Sequence, residues 1–391
     1  MTPAARLQAA IEILDEIMSS AREEGPPADA IVTRYFKQRR YAGSKDRRAA
    51  RELVFRAIRR AAERPASGRA AVLGLAEEEP ALLDLFGEPR GPEPKLEGEQ
   101  AAVAGFVPEW LVPELSPLVE VSERAALLER APLDLRANVA RGSREQLLSD
   151  FEGAQPTPLS PWGIRLPADS RVDDHPAFEA GLVEVQDEGS QLIALSCEPA
   201  NGERILDLCA GAGGKSLALA AAAPGATVLA TDSNRGRLSK LAPRAERAGA
   251  TIETRLLSPP REVEELADWT DDADVVLVDA PCSGSGTWRR NPEGRWRLTP
   301  DRLDRLTGVQ SRLLDIGAQL VKPGGQLVYA VCSILSREGA GQIERFLQHR
   351  SSWISEETPI AGGRSDGGGR LLTPGHDRTD GFFVARLRRP C

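Results

Sequence analysis

The segment ERILDLCAGAGGKSLALAAAAPGATVLATD, residues 203–232, decides the fold. ERILDLCA is apolar and strand-length, Gly211, Gly213 and Gly214 interrupt it, SLALAAAA has helical character, and ATVLATD is strand-like again. The alternation continues downstream. ATIETRLL, DADVVLVDAP and GQLVYAVCSI read as further strands, with helical stretches at 215–223, 234–248, 301–321 and 337–349. GFFVARLRR adds one more strand near the end. Strand–helix alternation of this kind predicts an α/β fold, a mostly parallel sheet with helices on both faces. Ligands of such sheets sit beyond the carboxyl ends of the strands. Asp207, Cys209, Asp232, Asp279, Cys282 and Cys332 all fall at or just past those ends.

Upstream of about Gly181 the texture changes. Residues 105–180 hold the strand-like LDLRANVA and WGIRL with the capped helix SREQLLSDFE between them, a small α+β module. Residues 87–104 are rich in Pro, Gly and Glu and are expected to be a linker. Residues 1–86 form a helical domain. Leu7, Ala10, Ile11, Leu14, Ile17 and Met18 recur at helical spacing, Ile31, Val32, Tyr35 and Phe36 mark a second helix, and Leu53, Val54, Ala57 and Ile58 a third capped by Ser44 or Asp46. The strand–helix alternation then occupies 181–391.

The chain has 391 residues and a net charge of −8. That charge is divided unevenly: residues 1–70 carry 15 Lys and Arg against 9 Asp and Glu. Within 31–60 the balance is 11 basic to 2 acidic residues, a candidate nucleic-acid surface as well as a candidate solvated helix face. No apolar run reaches the roughly 18 residues of a membrane helix. The opening residues lack a signal-peptide core, and 5 cysteines in so long a chain do not make a disulfide framework. A cytoplasmic, monomeric protein is expected. His175, His349 and His376 do not cluster with cysteines, so no metal is expected.

Three readings compete for the glycine turn. A phosphate-binding loop needs Gly where Cys209 stands, and a dinucleotide fingerprint beginning at Gly211 needs Gly where Ser216 stands. The third is an S-adenosyl-L-methionine site, with Asp232 at the end of the second strand facing the ribose hydroxyls. A helix cap is the plainer reading of Asp232.

DLCAGAGGKS, TDSNRGRL, DAPCSGSGTWRRNPEGRW, YAVCSILSREG and TDGFFVARL occur in this order. Together they resemble the RsmB/Nop2/Sun family of RNA 5-methylcytosine methyltransferases over about residues 105–391. The basic N-terminus more weakly resembles the NusB-type RNA-binding domain of bacterial members. The resemblance implies a Rossmann-like S-adenosylmethionine-dependent domain and ribosomal RNA as substrate. It implies cofactor contacts from Cys209, Ala210, Gly211, Ala212, Gly213, Gly214, Lys215, Asp232, Arg237 and Asp279. It makes Cys332 the nucleophile toward carbon 6 of cytosine and Cys282 the residue that assists release. It implies that Asp279 hydrogen-bonds the base edge or protonates ring nitrogen 3 as the adduct forms. Arg39, Arg40, Lys45, Arg47 and Arg48, together with Arg289 and Arg290 of WRRNP, are expected at the RNA. For Trp288 and Trp296 the alternative is that they cover the sheet edge.

The chain departs from its family at three places. The loop reads CAGAGGK where CAAPGGK is usual. Leu256 occupies the position of an acidic adenine contact, leaving Asp271, Asp272 or a backbone carbonyl as substitutes. Glu338 is followed by Gly339 instead of Asn. Two other functions stay open: a non-catalytic RNA-binding or ribosome-assembly factor, and a DNA cytosine methyltransferase in which Cys282 of the Pro281–Cys282 pair attacks.

Overall fold

The computed structural model describes residues 1–391. Strands β1–β13 and helices α1–α15 are numbered in chain order. The chain divides into two units. One holds Met1–Glu114, Arg124–Glu129 and Thr287–Pro300; the other holds Leu115–Glu123, Arg130–Gly286 and Asp301–Cys391.

The first unit is helical, with α1 (Pro3–Arg22), α2 (Ala28–Gln38), α3 (Ser44–Arg60) and α4 (Gly68–Glu78). Leu7, Ile13, Leu14, Ile17, Ile31, Val54, Ile58 and Val72 form its core, the faces that the helical spacing predicts. The expected cap of α3 is not there. Gly43 is the N-cap and makes no side-chain cap bond, because Asp46 is taken up by the Met1 amine at 2.8 Å and by Arg6. Residues 87–104, expected as a linker, belong to this unit. Ala102 N–H donates to the Ala70 carbonyl at 2.9 Å, and Glu99 pairs with Arg69.

Residues 287–300 also fold into the helical unit, through the short helix α12 (Gly294–Arg297). The reason lies at the end of α3, whose last carbonyls have no helical partner. Arg295 donates Nη2 to the Ile58 carbonyl at 2.6 Å, and the Trp296 indole N–H donates to the Ala61 carbonyl at 3.0 Å. Trp296 is buried in the helical core, and burial pulls the Arg295 guanidinium down to about 9. Trp296 therefore does not cover the sheet edge.

In the second unit a four-stranded antiparallel sheet has the order β2-β3-β1-β4. Its strands are β1 (Leu133–Ala137), β2 (Gln155–Pro156), β3 (Gly163–Leu166) and β4 (Val183–Val185). It carries α5 (Arg144–Leu147), begun by a Ser143–Gln146 capping box, and α6 (Pro176–Glu179).

The large sheet has the order β11-β12-β13-β9-β8-β5-β6-β7, with β10 paired to β13. The strands β5 (Arg204–Asp207), β6 (Thr227–Asp232), β7 (Glu253–Leu256), β8 (Ala273–Asp279) and β9 (Val321–Val331) run parallel. β13 (Phe382–Arg388) is antiparallel to β9, and β10 (Ile354–Glu356), β11 (Arg364–Asp366) and β12 (Gly369–Leu372) complete that edge. The helices of this layer are α7 (Glu188–Leu195), α8 (Gly214–Ala222), α9 (Arg235–Leu238), α10 (Leu241–Ala248), α11 (Glu262–Glu265), α13 (Pro300–Leu320), α14 (Ala340–His349) and α15 (Pro374–Asp377). From β5 the chain winds outward to β6 and β7, then returns to β8 on the other side. That reversal opens a crevice at the carboxyl ends of β5 and β8.

Trp296→Ala should destabilise the helical unit by about 3–5 kcal/mol, the usual cost of deleting a buried tryptophan. Hydrogen exchange should show protection lost in α1 and α3 and kept in β5–β9. Unchanged exchange in α3 would remove the anchoring role.

Candidate active site

Loop geometry comes first. β5 ends at Asp207, and six residues later α8 starts from Gly213, whose φ is +81°. A Cβ at Gly213 would fall 2.1 Å from Leu241 Cδ1, so both conformation and packing demand glycine there. Gly211, at φ +58°, has open space where its Cβ would be. The Gly211 N–H donates to Asp232 Oδ2 at 2.9 Å, which ties the loop to the end of β6. Asp232 Oδ1 accepts from Asn234 N–H at 2.6 Å and from Arg237 at 3.1 Å. Asn234, not Asp232, caps α9.

Asp232 and Arg237 line a cavity of about 610 Å³ together with Leu208–Ala212, Leu257, Pro259, Glu262, Asp279–Cys282, Arg312 and Cys332, whereas Gly213, Gly214 and Lys215, expected at the cofactor, are outside its lining. The size suits a cofactor. Leu256 is not among the lining residues. Asp271 and Asp272 precede β8 at its amino end, where Asp271 pairs with Arg389 and Asp272 with Arg204. Neither reaches the cavity, which corrects the expectation that they replace the missing acid. Glu262 lines it instead. It is buried and paired with Arg312 at 2.5 Å, and its Oε2 has no partner. The sequence offered no signal for Glu262, since a glutamate in a short acidic helix is ordinary.

Lys215 and Asp207 are buried outside the lining. Lys215 Nζ is 2.7 Å from Asp279 Oδ2. Burial pulls the ammonium down, but the Asp279 carboxylate outweighs it and holds Lys215 above its ordinary value. Asp207 is fully buried, and burial pushes its carboxyl up to about 7 against the Ser216 hydroxyl at 2.7 Å. Burial, then Asp207 and Asp279, raise the Cys209 thiol well above its usual range.

The two remaining cysteines stand side by side. β8 and β9 are parallel neighbours with Asp279 opposite Ala330, so the residues after each strand emerge at the same end. Cys282 Sγ and Cys332 Sγ are 3.3 Å apart, and both are free thiols. The hydrogen bond with Cys332, burial and the nearby Glu338 carboxylate raise Cys282 well above the ordinary thiol range.

Glu338 is what the sequence reading passed over, noting it only as a departure at the following residue. Its side chain is fully buried, and Oε1 accepts from Ser283 N–H at 2.8 Å and Gln310 Nε2 at 3.0 Å. Oε2 accepts from the Ser283 and Ser333 hydroxyls, each at 2.5 Å. Ser283 follows Cys282 and Ser333 follows Cys332, so one carboxylate pins both thiol-bearing loops to each other and to α13.

The expected RNA residues divide. Arg40, Lys45, Arg47 and Arg48 are exposed on the helical unit. Arg39 lies over the Tyr35 ring at 3.6 Å and pairs with Glu12. Arg289 is 6% exposed and Arg290 half-buried.

A sequence family described as 16S rRNA methyltransferase RsmB/F matches residues 194–388. The chain is 36% identical over 290 residues to the ribosomal RNA small subunit methyltransferase B of Enterobacter sp. (strain 638), covering 72% of this chain and 66% of that protein. It thus spans about two thirds of that relative's length. The crystal structure of PH0851 matches with a TM-score of 0.73 at 22% identity, over 100% of this chain and 99% of that one. NSun6 from Pyrococcus horikoshii with SFG matches with a TM-score of 0.60 at 20% identity, over 68% and 92% of the two chains. At these identities the two structures speak for the fold.

Glu338→Ala strands four donors, each costing about 1–3 kcal/mol if it stays unsatisfied. The loops should part. Bridging of Cys282 to Cys332 by a short bifunctional thiol reagent, read by peptide mass spectrometry, should drop several-fold. Glu338→Gln should keep most of it. Equal bridging in a folded alanine variant would show that Glu338 does not hold the pair.

Proposed function

Because the chain belongs to the RsmB/F family of 16S rRNA methyltransferases, we propose that it methylates carbon 5 of a cytosine in ribosomal RNA from S-adenosyl-L-methionine. The observation that carries the reading is the pair of free thiols 3.3 Å apart in the lining of the cofactor-sized cavity. No group of three or more His, Cys, Asp or Glu side chains joins the two thiols in a metal-holding arrangement.

The residues present fit the cofactor. Asp232 offers a buried carboxylate for ribose hydroxyls, the Gly211 turn leaves room for close approach, and Leu257 and Pro259 give flat apolar walls. The unpartnered Glu262 Oε2 is an acceptor for an adenine amino group, where Leu256 supplies none. When bound, the cofactor supplies an electrophilic methyl group on a sulfonium. The protein must make cytosine carbon 5 nucleophilic. Cys332, as thiolate, adds to carbon 6 and forms a sulfur–carbon bond, which turns the ring into an enamine. Asp279, held by Lys215, bonds the base edge as the ring accepts charge. After methylation the carbon 5 proton leaves to a base, and the Cys332–carbon 6 bond breaks to restore the aromatic ring. Cys282, whose sulfur lies 3.3 Å from that of Cys332, assists this release.

This reading has the base out of any helical stack. It also makes the protein cytoplasmic and monomeric, needing no metal.

Cys332→Ala should give neither product nor covalent RNA complex. Cys282→Ala should still attack, and should accumulate a protein–RNA adduct stable to denaturing gels. The reverse pattern would assign the nucleophile to Cys282, and no adduct or methylation by wild type on any ribosomal RNA would favour the non-catalytic reading. Separately, Asp232→Ala should weaken S-adenosylmethionine binding by about 1.5–3 kcal/mol, the range for hydrogen bonds to a charged group. Calorimetry with unchanged affinity in a folded variant would take Asp232 out of the site.

A further inference from the structure

The turn between α2 and α3 combines two features that seldom coincide by chance. Residues 37–48, KQRRYAGSKDRR, hold 6 Lys and Arg and 1 acid. That acid, Asp46, is consumed by the Met1 amine and Arg6. Lys37, Arg40, Lys45 and Arg48 are exposed and face no carboxylate partner. At the apex of the turn stands Tyr41, 75% exposed. Its neighbour Ala42 is 2% exposed, its N–H donates to the Arg39 carbonyl at 3.1 Å, and its own carbonyl accepts from Arg47 Nε at 2.8 Å. The backbone on either side of Tyr41 is thus fastened while the ring is left in solvent. The other tyrosines behave differently: Tyr35 and Tyr329 are buried, their hydroxyls bonded to Glu12 and to the Glu338 carbonyl.

A large apolar ring in water carries a cost that folding normally removes, and a lone exposed one is unremarkable. Within a ring of uncommitted cations the combination has a specific use. Phosphates of a single strand are drawn to the cations, and an unpaired base can lay its face on the phenol ring. A duplex cannot use the ring in this way, since its bases are already stacked. We infer that Tyr41 is a stacking platform for an unpaired base, and that Lys37, Arg40, Lys45 and Arg48 hold the flanking phosphates of single-stranded RNA. The inference deepens the RNA reading above and rests on it: it names the strand form that the helical unit recognises.

The full chain should be titrated with a single-stranded 20-nucleotide RNA carrying 5-iodouracil, and with the same sequence as a duplex. Tyr41→Ala should weaken the single strand about 5- to 100-fold, the range for loss of one stacked base. Its salt dependence should be unchanged, because no phosphate contact is lost. Tyr41→Phe should stay within about twofold of wild type, and duplex affinity should not distinguish the three proteins. Irradiation should cross-link the single strand to the peptide containing Tyr41. The joint variant Arg40→Gln, Lys45→Gln, Arg48→Gln should weaken both forms and flatten the salt slope. If Tyr41→Ala binds the single strand as wild type does while the joint variant fails, the platform is wrong and the charged RNA surface stands. If both bind as wild type does, the whole turn is outside the RNA contact. Adduct formation by the cysteine pair then reports separately whether the methyltransferase reading survives.

Discussion

The buried carboxylate of Glu338 is the constraint on which the active geometry hangs. An ionised carboxylate out of water is tolerable only when its oxygens are met by donors in good geometry. Here the donors come from three separate stretches: Ser283 after β8, Ser333 after β9, and Gln310 on α13. Any rearrangement that moves one loop leaves the charge unpaid. Cys282 and Cys332 are each one bond away from those serines, so their 3.3 Å separation follows from satisfying Glu338. The same charge, close to Cys282, helps keep that thiol protonated. One group therefore sets where both thiols stand.

The parallel sheet was readable because its strands are short apolar runs separated by helical periods, and the strand-end positions of Asp232, Asp279, Cys282 and Cys332 follow from the topology alone. What the sequence did not disclose are contacts made across long separations. Glu262 reaches the cavity only because α11 folds back beside the end of β7. Asp271 and Asp272 looked suitable by type, yet they stand at the amino end of β8, a full strand length from the cavity. The cap of α3 was misplaced because Asp46 is taken by the chain's own amino terminus, a partner that no local pattern announces. WRRNPEGRW reads as one motif, but the side chains within it have unequal surroundings: Trp288, Arg289, Arg295 and Trp296 are buried, whereas Asn291 is exposed.

The electrostatics of the two units are suited to different ligands. The cavity is lined by Asp232, Glu262 and Asp279 and by Arg237, Arg302 and Arg312, three charges of each sign, so it presents a balanced lining. The helical unit carries Lys37, Arg40, Lys45 and Arg48 exposed around one turn. A chain that is acidic overall can thus keep a strongly basic patch without drawing polyanions indiscriminately.

The inclusion of residues 287–300 in the helical core has a consequence for the order of events during synthesis. The four long helices are complete once residue 78 has been made, but Arg295 and Trp296, which finish the end of α3, come more than 200 residues later. At about 5–20 residues per second the wait is on the order of 10–40 s. Throughout it the helical unit exists without its buried tryptophan, with the Ile58 and Ala61 carbonyls still open to water. The N-terminal unit reaches its final core only when the sheet strand that bears Asp279 has already been made, so its maturation as a folded body is timed by the production of the catalytic half.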